Sequence, residues 1–287
     1  MASELTNRTA FAVVAAPVAI AVIWYGGLAL ALLLAAVSAI GAWELYRIAV
    51  AGGVRPLSWI GIALSAAVPL LVHLAHVGQT APPVSFALLV VLALAGASVW
   101  LRGVDGRPLA ATAITVFGVL YTGAMLSFGY ALRYHEYAGY GRAGGTALVM
   151  MPLLLTWSSD TGAYFVGRAM GRHKLIPSVS PGKTVEGAIG GMVLTVIVCW
   201  LFERFALRPY AELGLRAASV VLFGVAISVT AQLGDLVESL FKREAGVKDS
   251  SRIIPGHGGI LDRFDSLLFV LPVAYVLLSY LLIVAPR

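Results

Sequence analysis

Long apolar segments separated by short polar ones dominate the chain. A helix that crosses the hydrocarbon core of a bilayer needs about 20 mainly apolar residues, and segments close to that length recur throughout. The breaks between them are rich in glycine, proline and charge, as at Ala51-Gly52-Gly53 and Ala81-Pro82-Pro83. The pattern predicts nine helices, near residues 9–25, 27–49, 57–76, 84–101, 109–133, 146–169, 184–205, 216–242 and 265–285.

Composition supports a membrane protein. The chain of 287 residues is 60% hydrophobic and 12% charged, whereas a soluble domain carries about 25% charged residues. A chain with this hydrophobic fraction cannot bury all its apolar surface in a water-soluble core of this size. The apolar stretch from Thr9 to Trp43 is much longer than the core of a cleaved signal peptide, so we expect two retained spans there. The predicted fold is all-α, a polytopic integral membrane protein with about nine transmembrane helices.

Lysine and arginine indicate the orientation, because they concentrate in cytoplasmic loops. If the N-terminus and the even-numbered loops share one side, that side holds 14 of the 20 cations. These are Arg8, Arg47, Arg55, Arg102, Arg107, Arg168, Arg172, Lys174, Lys183, Lys242, Arg243, Lys248, Arg252 and Arg263. The N-terminus is therefore predicted to be cytoplasmic. The net charge of +6 lies in short loops, which argues against nucleic acid and favours an anionic lipid or substrate.

Acidic residues are distributed unevenly. Four of the 14 lie before Tyr140, and the other ten lie between Asp160 and Asp265. We therefore predict an N-terminal scaffold of helices at 1–145 and a catalytic region at 146–287, whose loops 170–183 and 243–264 face the cytoplasm. The single cysteine, Cys199, excludes a disulfide within one chain.

The strongest polar feature is the segment from Gln232 to Asp265, which begins inside one apolar helix and ends at the start of another. Asp235, Glu238 and Lys242 share one helical face. A charge at the bilayer centre costs roughly 2.5–3.5 kcal/mol on insertion scales, so such residues usually face a polar cavity or a partner. An Asp–Lys pair that only holds helices together would explain the same spacing.

A glycine-rich loop, Pro255-Gly256-His257-Gly258-Gly259, follows within this segment. Exposed backbone amides in such a loop can approach phosphate oxygens closely, although an ordinary connecting loop is the commoner case. The charged neighbours favour phosphate binding here. They are Lys248, Asp249, Arg252, Asp262, Arg263 and Asp265.

Asp235 and Asp262 are the candidates for metal binding. Hard divalent cations such as Mg²⁺ prefer carboxylate oxygens and often use one or two of them, with substrate phosphates and water completing the coordination. The sequence has no Cys/His cluster that suits zinc.

A second polar segment runs from Trp157 to Gly187. Asp160 interrupts an apolar span there, and the neighbouring hydroxyls of Ser158, Ser159 and Thr161 could share its hydrogen bonding. Thr184 is a plausible helix cap, with Glu186 in the first turn. The Gly-Lys-Thr at 182–184 is not a P-loop, because Ile176 stands where the first glycine should be.

The segment from Ser239 to Asp265 resembles the signature of the phosphatidate cytidylyltransferases, also called CDP-diacylglycerol synthases. The matching positions are Ser239, Lys242, Arg243, Lys248, Asp249, Pro255, His257, Gly258, Gly259, Asp262, Arg263 and Asp265. The stretches 160–168 and 180–187 are similar to the same family, with Val185 in place of a frequent aromatic. Detailed resemblance covers about 156–266.

The resemblance implies the reaction of CTP with phosphatidate to give CDP-diacylglycerol and pyrophosphate, a step of phospholipid biosynthesis, in a membrane enzyme of about nine helices. It also implies Mg²⁺ at Asp235 and Asp262, with K⁺ as a candidate second ion, whereas the sequence leaves open whether Mn²⁺ can replace Mg²⁺. Candidate catalytic residues are Asp235, Asp262, Lys242, Arg263 and His257. Candidate substrate-binding residues are Asp160, Arg168, Ser180, Lys183, Glu186, Ser239, Arg243, Lys248, Asp249, Gly258, Gly259 and Asp265.

Three alternatives remain open on the sequence: a transporter or channel with intramembrane carboxylates, a CTP-dependent polyprenol kinase, and an assembly factor that has lost catalysis. Arginine far outnumbers lysine, and alanine and glycine are abundant, as in proteins of GC-rich bacteria. We therefore expect a bacterial inner membrane, with the active site facing the cytoplasm. The partners expected are CTP, phosphatidate and membrane lipid; a homodimer is compatible with the sequence.

Overall fold

The computed structural model describes residues 2–79, 84–137, 141–253 and 258–284. Within these ranges the backbone is mainly helical. The α-helices are α1 Ala2–Tyr25, α2 Gly27–Ala51, α3 Ser58–His76, α4 Val84–Leu101, α5 Pro108–Gly118, α6 Met125–Arg133, α7 Arg142–Met170, α8 Val185–Phe202, α9 Arg208–Ala211, α10 Ala217–Glu244 and α11 Leu261–Leu281. Two π-helical segments, Val119–Ala124 and Glu203–Leu207, join α5 to α6 and α8 to α9.

Two short antiparallel strand pairs accompany the helices. Strand β1, Lys174–Ile176, pairs with β2, Ser180–Thr184. Strand β3, Leu213–Leu215, pairs with β4, Leu282–Val284. The predicted helical class is confirmed, and these strands are an addition that the apolar pattern did not predict, because each is only three to five residues long.

Each of the nine predicted helices coincides with helical backbone. Six helices of the described chain are long and apolar enough to cross a bilayer: Gly27–Ala51, Ser58–His76, Pro108–Arg133, Val185–Ala211, Ala217–Glu244 and Leu261–Leu281. The apolar helices Ala15–Tyr25 and Ser85–Leu101 are shorter. Helix α7 has 29 residues but carries the polar sequence Ser158-Ser159-Asp160-Thr161. The structure thus supports a multi-pass membrane protein.

The chain divides into two compact units. The first contains Met1–Tyr130 and Phe241–Phe264, and the second contains Ala131–Leu240 and Asp265–Arg287. Residues 245–253 and 258–260, which we call the signature loop, therefore pack with the N-terminal helices. The predicted division between a scaffold region, 1–145, and a catalytic region, 146–287, was based on where the polar residues occur and not on packing. It stays a prediction.

The core of the first unit is built around Tyr46. Its ring is 1% exposed and its hydroxyl donates to the carbonyl of Thr115 at 2.8 Å. A side chain on Gly61 or Gly118 would overlap the ring, so glycine at both positions leaves the space that Tyr46 fills. Close packing through glycine fixes α2, α3 and α5 in this unit.

In the second unit, α7 and α8 pack backbone against backbone. A Cβ on Gly162 would lie 2.8 Å from the carbonyl oxygen of Gly190, and one on Gly191 would lie 2.6 Å from that of Ser159. A Cβ on Gly187 would lie 2.8 Å from the carbonyl of Ala163. Small residues at such spacing allow the close helix approach typical of membrane proteins.

Candidate functional site

The predicted polar residues form two clusters, one in each unit. The first cluster surrounds a cavity of about 530 Å³ in the second unit, between α7, the β1–β2 hairpin, α8 and α10. We call it the hairpin cavity. Five of the predicted residues line it: Asp160, Arg168, Ser180, Lys183 and Asp235. Tyr164 and Gln232, which the sequence analysis did not single out, also line it.

An ion pair links two predicted residues at the hairpin cavity. Lys183 Nζ lies 2.7 Å from Asp235 Oδ2, and the side chains are 25% and 34% exposed. Ser239, one helical turn along α10, donates to Asp235 Oδ1 at 3.2 Å. Lys242 pairs with Asp262 and Lys183 pairs with Asp235, so the alternative of Asp–Lys pairs that only hold elements together stays open. The Asp235 carboxylate, which is 34% exposed, also lines the hairpin cavity.

Asp160 lies in electrostatic reach of Lys183, Asp235 and Asp265. The expectation that neighbouring hydroxyls share its hydrogen bonding is wrong. Ser158 and Thr161 donate to main-chain carbonyls four residues earlier in α7. Those bonds satisfy the hydroxyls within the helix, and the carboxylate of Asp160 is left to line the cavity.

Ser159 hydrogen-bonds to Ser228 of α10 at 2.8 Å, so it too serves helix packing rather than Asp160. At the open end of α7, Arg168 donates to the hydroxyl of Tyr164 at 2.8 Å and is exposed. Its guanidinium keeps free donors for a phosphate group.

Glu186 supports the hairpin instead of lining this cavity. It accepts from the backbone amides of Arg172 and His173 at 3.1 and 3.2 Å, and from His173 Nδ1 at 2.5 Å. The predicted cap is confirmed, since Thr184 Oγ1 accepts from the amide of Gly187 at 3.1 Å. Together these contacts fix the strand that carries Lys183. A direct role of Glu186 in substrate binding stays a prediction.

The second cluster lies in the first unit, at the junction of the signature loop and α11. Lys242 Nζ donates to Asp262 Oδ1 at 2.6 Å, with the side chains 11% and 10% exposed. The other oxygen, Oδ2, accepts from the Ser250 hydroxyl at 2.9 Å, the Gly259 amide at 2.8 Å and the Ser250 amide at 3.1 Å. Four donor groups therefore hold this carboxylate in the charged form.

Glu44 of α2 is a residue of this cluster that the sequence analysis missed. It is 0% exposed and accepts hydrogen bonds from Ser250, Ser251, Ile260 and Leu261. A usable signal was present, because an acidic residue inside an apolar span is the feature that singled out Asp160.

A second cavity, of about 570 Å³, opens beside the signature loop and is lined by one cation of α2 and by loop residues. We call it the loop cavity. Its charged residues are Arg47, Lys248, Asp249 and Arg252. Three cations against one carboxylate suit an anionic ligand. Arg47 was not predicted as a site residue, and its guanidinium carbon lies 4.8 Å from the centre of the Trp43 ring.

Within the described part of the chain, the remaining predicted site residues line neither cavity, and their exposure and contacts differ from one residue to the next. Arg243 is exposed and donates weakly to the carbonyl of Val247, at 3.4 Å, and Arg263 is exposed at the start of α11. Gly258 has φ of +82°, and a Cβ there would lie 2.6 Å from Asp262 Oδ2, so only glycine fits. His257, with Pro255 and Gly256, lies outside the described residues.

Asp235 of the second unit and Asp262 of the first each carry the carboxylate that Mg²⁺ prefers, and their binding of one common ion stays a prediction. Asp235 and Asp262 each offer an oxygen to a cation, since lysine nitrogens lie 2.7 and 2.6 Å away. Three donors fill Oδ2 of Asp262 and Lys242 Nζ donates to Oδ1, so a metal ion would take the place of the ammonium at Oδ1. No group of three or more His, Cys, Asp or Glu that could hold a metal occurs among the described residues. Phosphates and water would therefore supply most ligands, as is usual for Mg²⁺.

Comparison with known proteins gives consistent results. The model of a family described as the cytidylyltransferase family matches residues 6–281. A phosphatidate cytidylyltransferase of Staphylococcus epidermidis is 38% identical over 205 residues, which cover 68% of this chain and 77% of the relative. The enzyme of that name from Staphylococcus haemolyticus is 44% identical over 166 residues, 58% of each chain. The one from Bacillus subtilis is 48% identical over 135 residues, 47% of this chain and 48% of the relative.

Proposed function

Because the chain belongs to the cytidylyltransferase family, we propose that it converts CTP and phosphatidate into CDP-diacylglycerol and pyrophosphate in phospholipid biosynthesis. It is an enzyme, a nucleotidyltransferase. The observation that carries the assignment is the similarity to the Staphylococcus epidermidis phosphatidate cytidylyltransferase, which extends over 77% of that protein.

The reaction joins two anions. A phosphate oxygen of phosphatidate forms a bond to the α-phosphorus of CTP, and the bond from that phosphorus to the β-phosphate oxygen breaks, releasing pyrophosphate. The attacking oxygen is already largely ionised at neutral pH, so a strong general base is not essential. The protein has mainly to position the two reactants and neutralise their charge.

Cations of the two cavities are suited to this work. At the hairpin cavity, Arg168 and Lys183 bind phosphate oxygens, and the ion pair with Asp235 holds Lys183 in place. At the loop cavity, Lys248 and Arg252 provide a second basic surface. Arginine can contact two phosphate oxygens at once, whereas lysine supplies a compact charge.

Asp235 and Asp262 would hold Mg²⁺, which when bound neutralises phosphate charge and polarises the reacting phosphorus. Carboxylate oxygens are ligands that Mg²⁺ prefers, which supports this assignment. The choice of these two aspartates comes from the family resemblance. Mn²⁺ as a substitute and K⁺ as a second ion are part of the same proposal. Lys242 keeps Asp262 ionised and oriented.

The membrane arrangement we propose has nine spans, a cytoplasmic N-terminus and an active site facing the cytoplasm of a bacterial inner membrane. Its support is the excess of cations in the even-numbered loops and the helical backbone found at each predicted span. We further propose that the protein interacts with membrane lipid and does not bind nucleic acid. A homodimer is part of the same proposal, and measuring the molar mass of the protein in detergent tests it.

Chromatography of lipid products tests the proposed activity. Purified protein is given CTP, phosphatidate and Mg²⁺, and lipids are separated on thin layers. A new lipid that migrates with CDP-diacylglycerol is expected. Its absence from folded protein would refute the assignment, and transport without lipid conversion would favour the transporter alternative.

A further inference from the structure

Glu44 connects two distant parts of the first unit. It lies on α2, and its four hydrogen-bond donors lie more than 200 residues later in the chain. Oε1 accepts from the Ser251 hydroxyl at 2.5 Å and the Ile260 amide at 3.0 Å. Oε2 accepts from the Ser250 hydroxyl at 3.1 Å and the Leu261 amide at 2.6 Å. The side chain is completely buried.

These contacts hold both ends of the signature loop. Ser250 and Ser251 precede the glycine-rich stretch, whereas Ile260 and Leu261 follow it, and α11 begins at Leu261. The first amides of a helix have no partner within the helix, and a carboxylate is well suited to accept from them. Glu44 therefore fixes the start of α11, one residue before Asp262.

Glu44 is also linked to Asp262 through Ser250. The Ser250 hydroxyl oxygen lies 3.1 Å from Glu44 Oε2 and 2.9 Å from Asp262 Oδ2. The Ser250 amide donates to Asp262 as well, at 3.1 Å. The two carboxylates compete for the single hydrogen of this hydroxyl, so moving either one changes the hydrogen bonding of the other.

The presence of Glu44 accounts for glycine at position 259. A Cβ there would overlap Ser250 Oγ and Glu44 Oε1. Gly259 also donates its amide to Asp262 Oδ2 at 2.8 Å. The loop can bring this amide to Asp262 only because the Glu44 carboxylate and the loop backbone pack without an intervening side chain.

We propose that Glu44 is a positioning residue, which sets the orientation of Asp262 through Ser250 and the first turn of α11. It does not contact substrate. The inference rests on the proposed function only where Asp262 is given a role in binding Mg²⁺. Its structural part, the fixing of residues 250–251 and 260–261 by Glu44, stands independently.

Glu44→Gln is the decisive variant. It keeps the shape but replaces one acceptor oxygen with an NH₂ group. Whichever way the amide turns, that group faces a main-chain N–H of Ile260 or Leu261, which cannot reverse its polarity. One end of the loop is therefore released.

Two readouts are measured on the full-length protein in detergent. Without ligands, hydrogen–deuterium exchange of the Ile260 and Leu261 amides should accelerate at least about tenfold in the variant, because a protecting acceptor is lost. In the lipid assay, the Mg²⁺ concentration for half-maximal activity should rise about 10–100-fold, as for residues that orient metal ligands. Unchanged exchange together with unchanged Mg²⁺ dependence would overturn the proposal.

Matched controls separate positioning from a general loss of packing. Ser38→Ala removes a buried hydroxyl of the same helix, which bonds to the carbonyl of Thr122. Glu203→Gln makes the same chemical change at a buried carboxylate of the other unit, which accepts from the Leu215 amide. Both should leave exchange at 260–261 and the Mg²⁺ requirement unchanged. An equal rise in the Ser38 variant would overturn the proposal.

Glu44→Asp decides the matter if the glutamine variant does not fold. The charge is kept, and the carboxylate is withdrawn by one methylene, so a smaller increase in exchange and in the Mg²⁺ requirement is expected. Wild-type behaviour of this variant in both readouts would contradict the proposal. If the chain makes no CDP-diacylglycerol at all, the proposed function fails, whereas the exchange measurement still tests the role of Glu44.

Discussion

Lys242 and Asp262 form an almost buried ion pair, with Nζ 2.6 Å from Oδ1 and side chains 11% and 10% exposed. Lys183 and Asp235 form a comparable pair at 2.7 Å, but with 25% and 34% exposure. Each proposed metal ligand thus has its own lysine, and the two pairs differ mainly in burial.

The difference in burial predicts different stabilities of two lysine variants. Lys242→Met leaves a buried carboxylate without its cation and should lower the free energy of unfolding by about 3 kcal/mol. Lys183→Met affects a more solvated pair and should cost less than about 1 kcal/mol. Thermal unfolding in detergent measures both. Equal losses of unfolding free energy in the two variants would contradict the prediction that burial determines how much each ion pair contributes to stability.

The carboxylates themselves should be indispensable. Asp235→Asn or Asp262→Asn should abolish CDP-diacylglycerol formation in folded protein, because asparagine carries no charge to hold Mg²⁺. Turnover is measured in the lipid assay, with folding checked by gel filtration. Ser38→Ala, a buried change away from both cavities, serves as the control. Near-normal turnover in either asparagine variant would refute the assignment of that residue.

Glycine between α7 and α8 should contribute to the stability of the second unit. A Cβ on Gly191 would lie 2.6 Å from the carbonyl oxygen of Ser159, so Gly191→Ala should cost about 1–3 kcal/mol of stability. Gly96 of α4 has no atom within 4 Å of a built Cβ, so Gly96→Ala should be neutral or stabilising by up to about 1 kcal/mol. Comparison of the two melting temperatures tests the packing argument, and a stabilising Gly191→Ala would contradict it.

Cysteine labelling tests the proposed orientation. The native Cys199 is buried, so it provides a low background. Asp105→Cys, in the loop between α4 and α5, should react with a membrane-impermeant maleimide only after the inner membrane is opened. Tyr210→Cys, which replaces an exposed residue of α9, should react in intact cells. The reverse pattern would invert the topology.

The helices could be predicted because the length of an apolar segment is a local property of the sequence. The β1–β2 hairpin could not, since Lys174–Ile176 and Ser180–Thr184 have no strong alternation and depend on Glu186 to hold the backbone amides of Arg172 and His173. The predicted hydrogen bonding around Asp160 failed because the hydroxyls of α7 are satisfied by its own carbonyls and by Ser228.

The sequence predicted which residues belong to the candidate site, but not which of them contact one another. Charged positions in an apolar chain identified Asp235, Asp262 and the lysines. The pairing of Lys183 with Asp235 joins residues 52 positions apart and depends on how strand β2 lies against α10. Glu44 was overlooked because it lies in the half of the chain with few acids. Its role depends on contacts with Ser250 and Leu261, which lie 206 and 217 positions later in the chain and leave no local pattern in the sequence.

The most direct test of the central claim is to follow a radiolabelled phosphate from CTP into the lipid product. Purified protein is given phosphatidate, Mg²⁺ and CTP labelled either at the α-phosphate or at the γ-phosphate, and the lipid fraction is counted. The account predicts label in lipid from α-labelled CTP alone, with pyrophosphate released. Label in lipid from γ-labelled CTP would instead indicate a kinase and contradict the account.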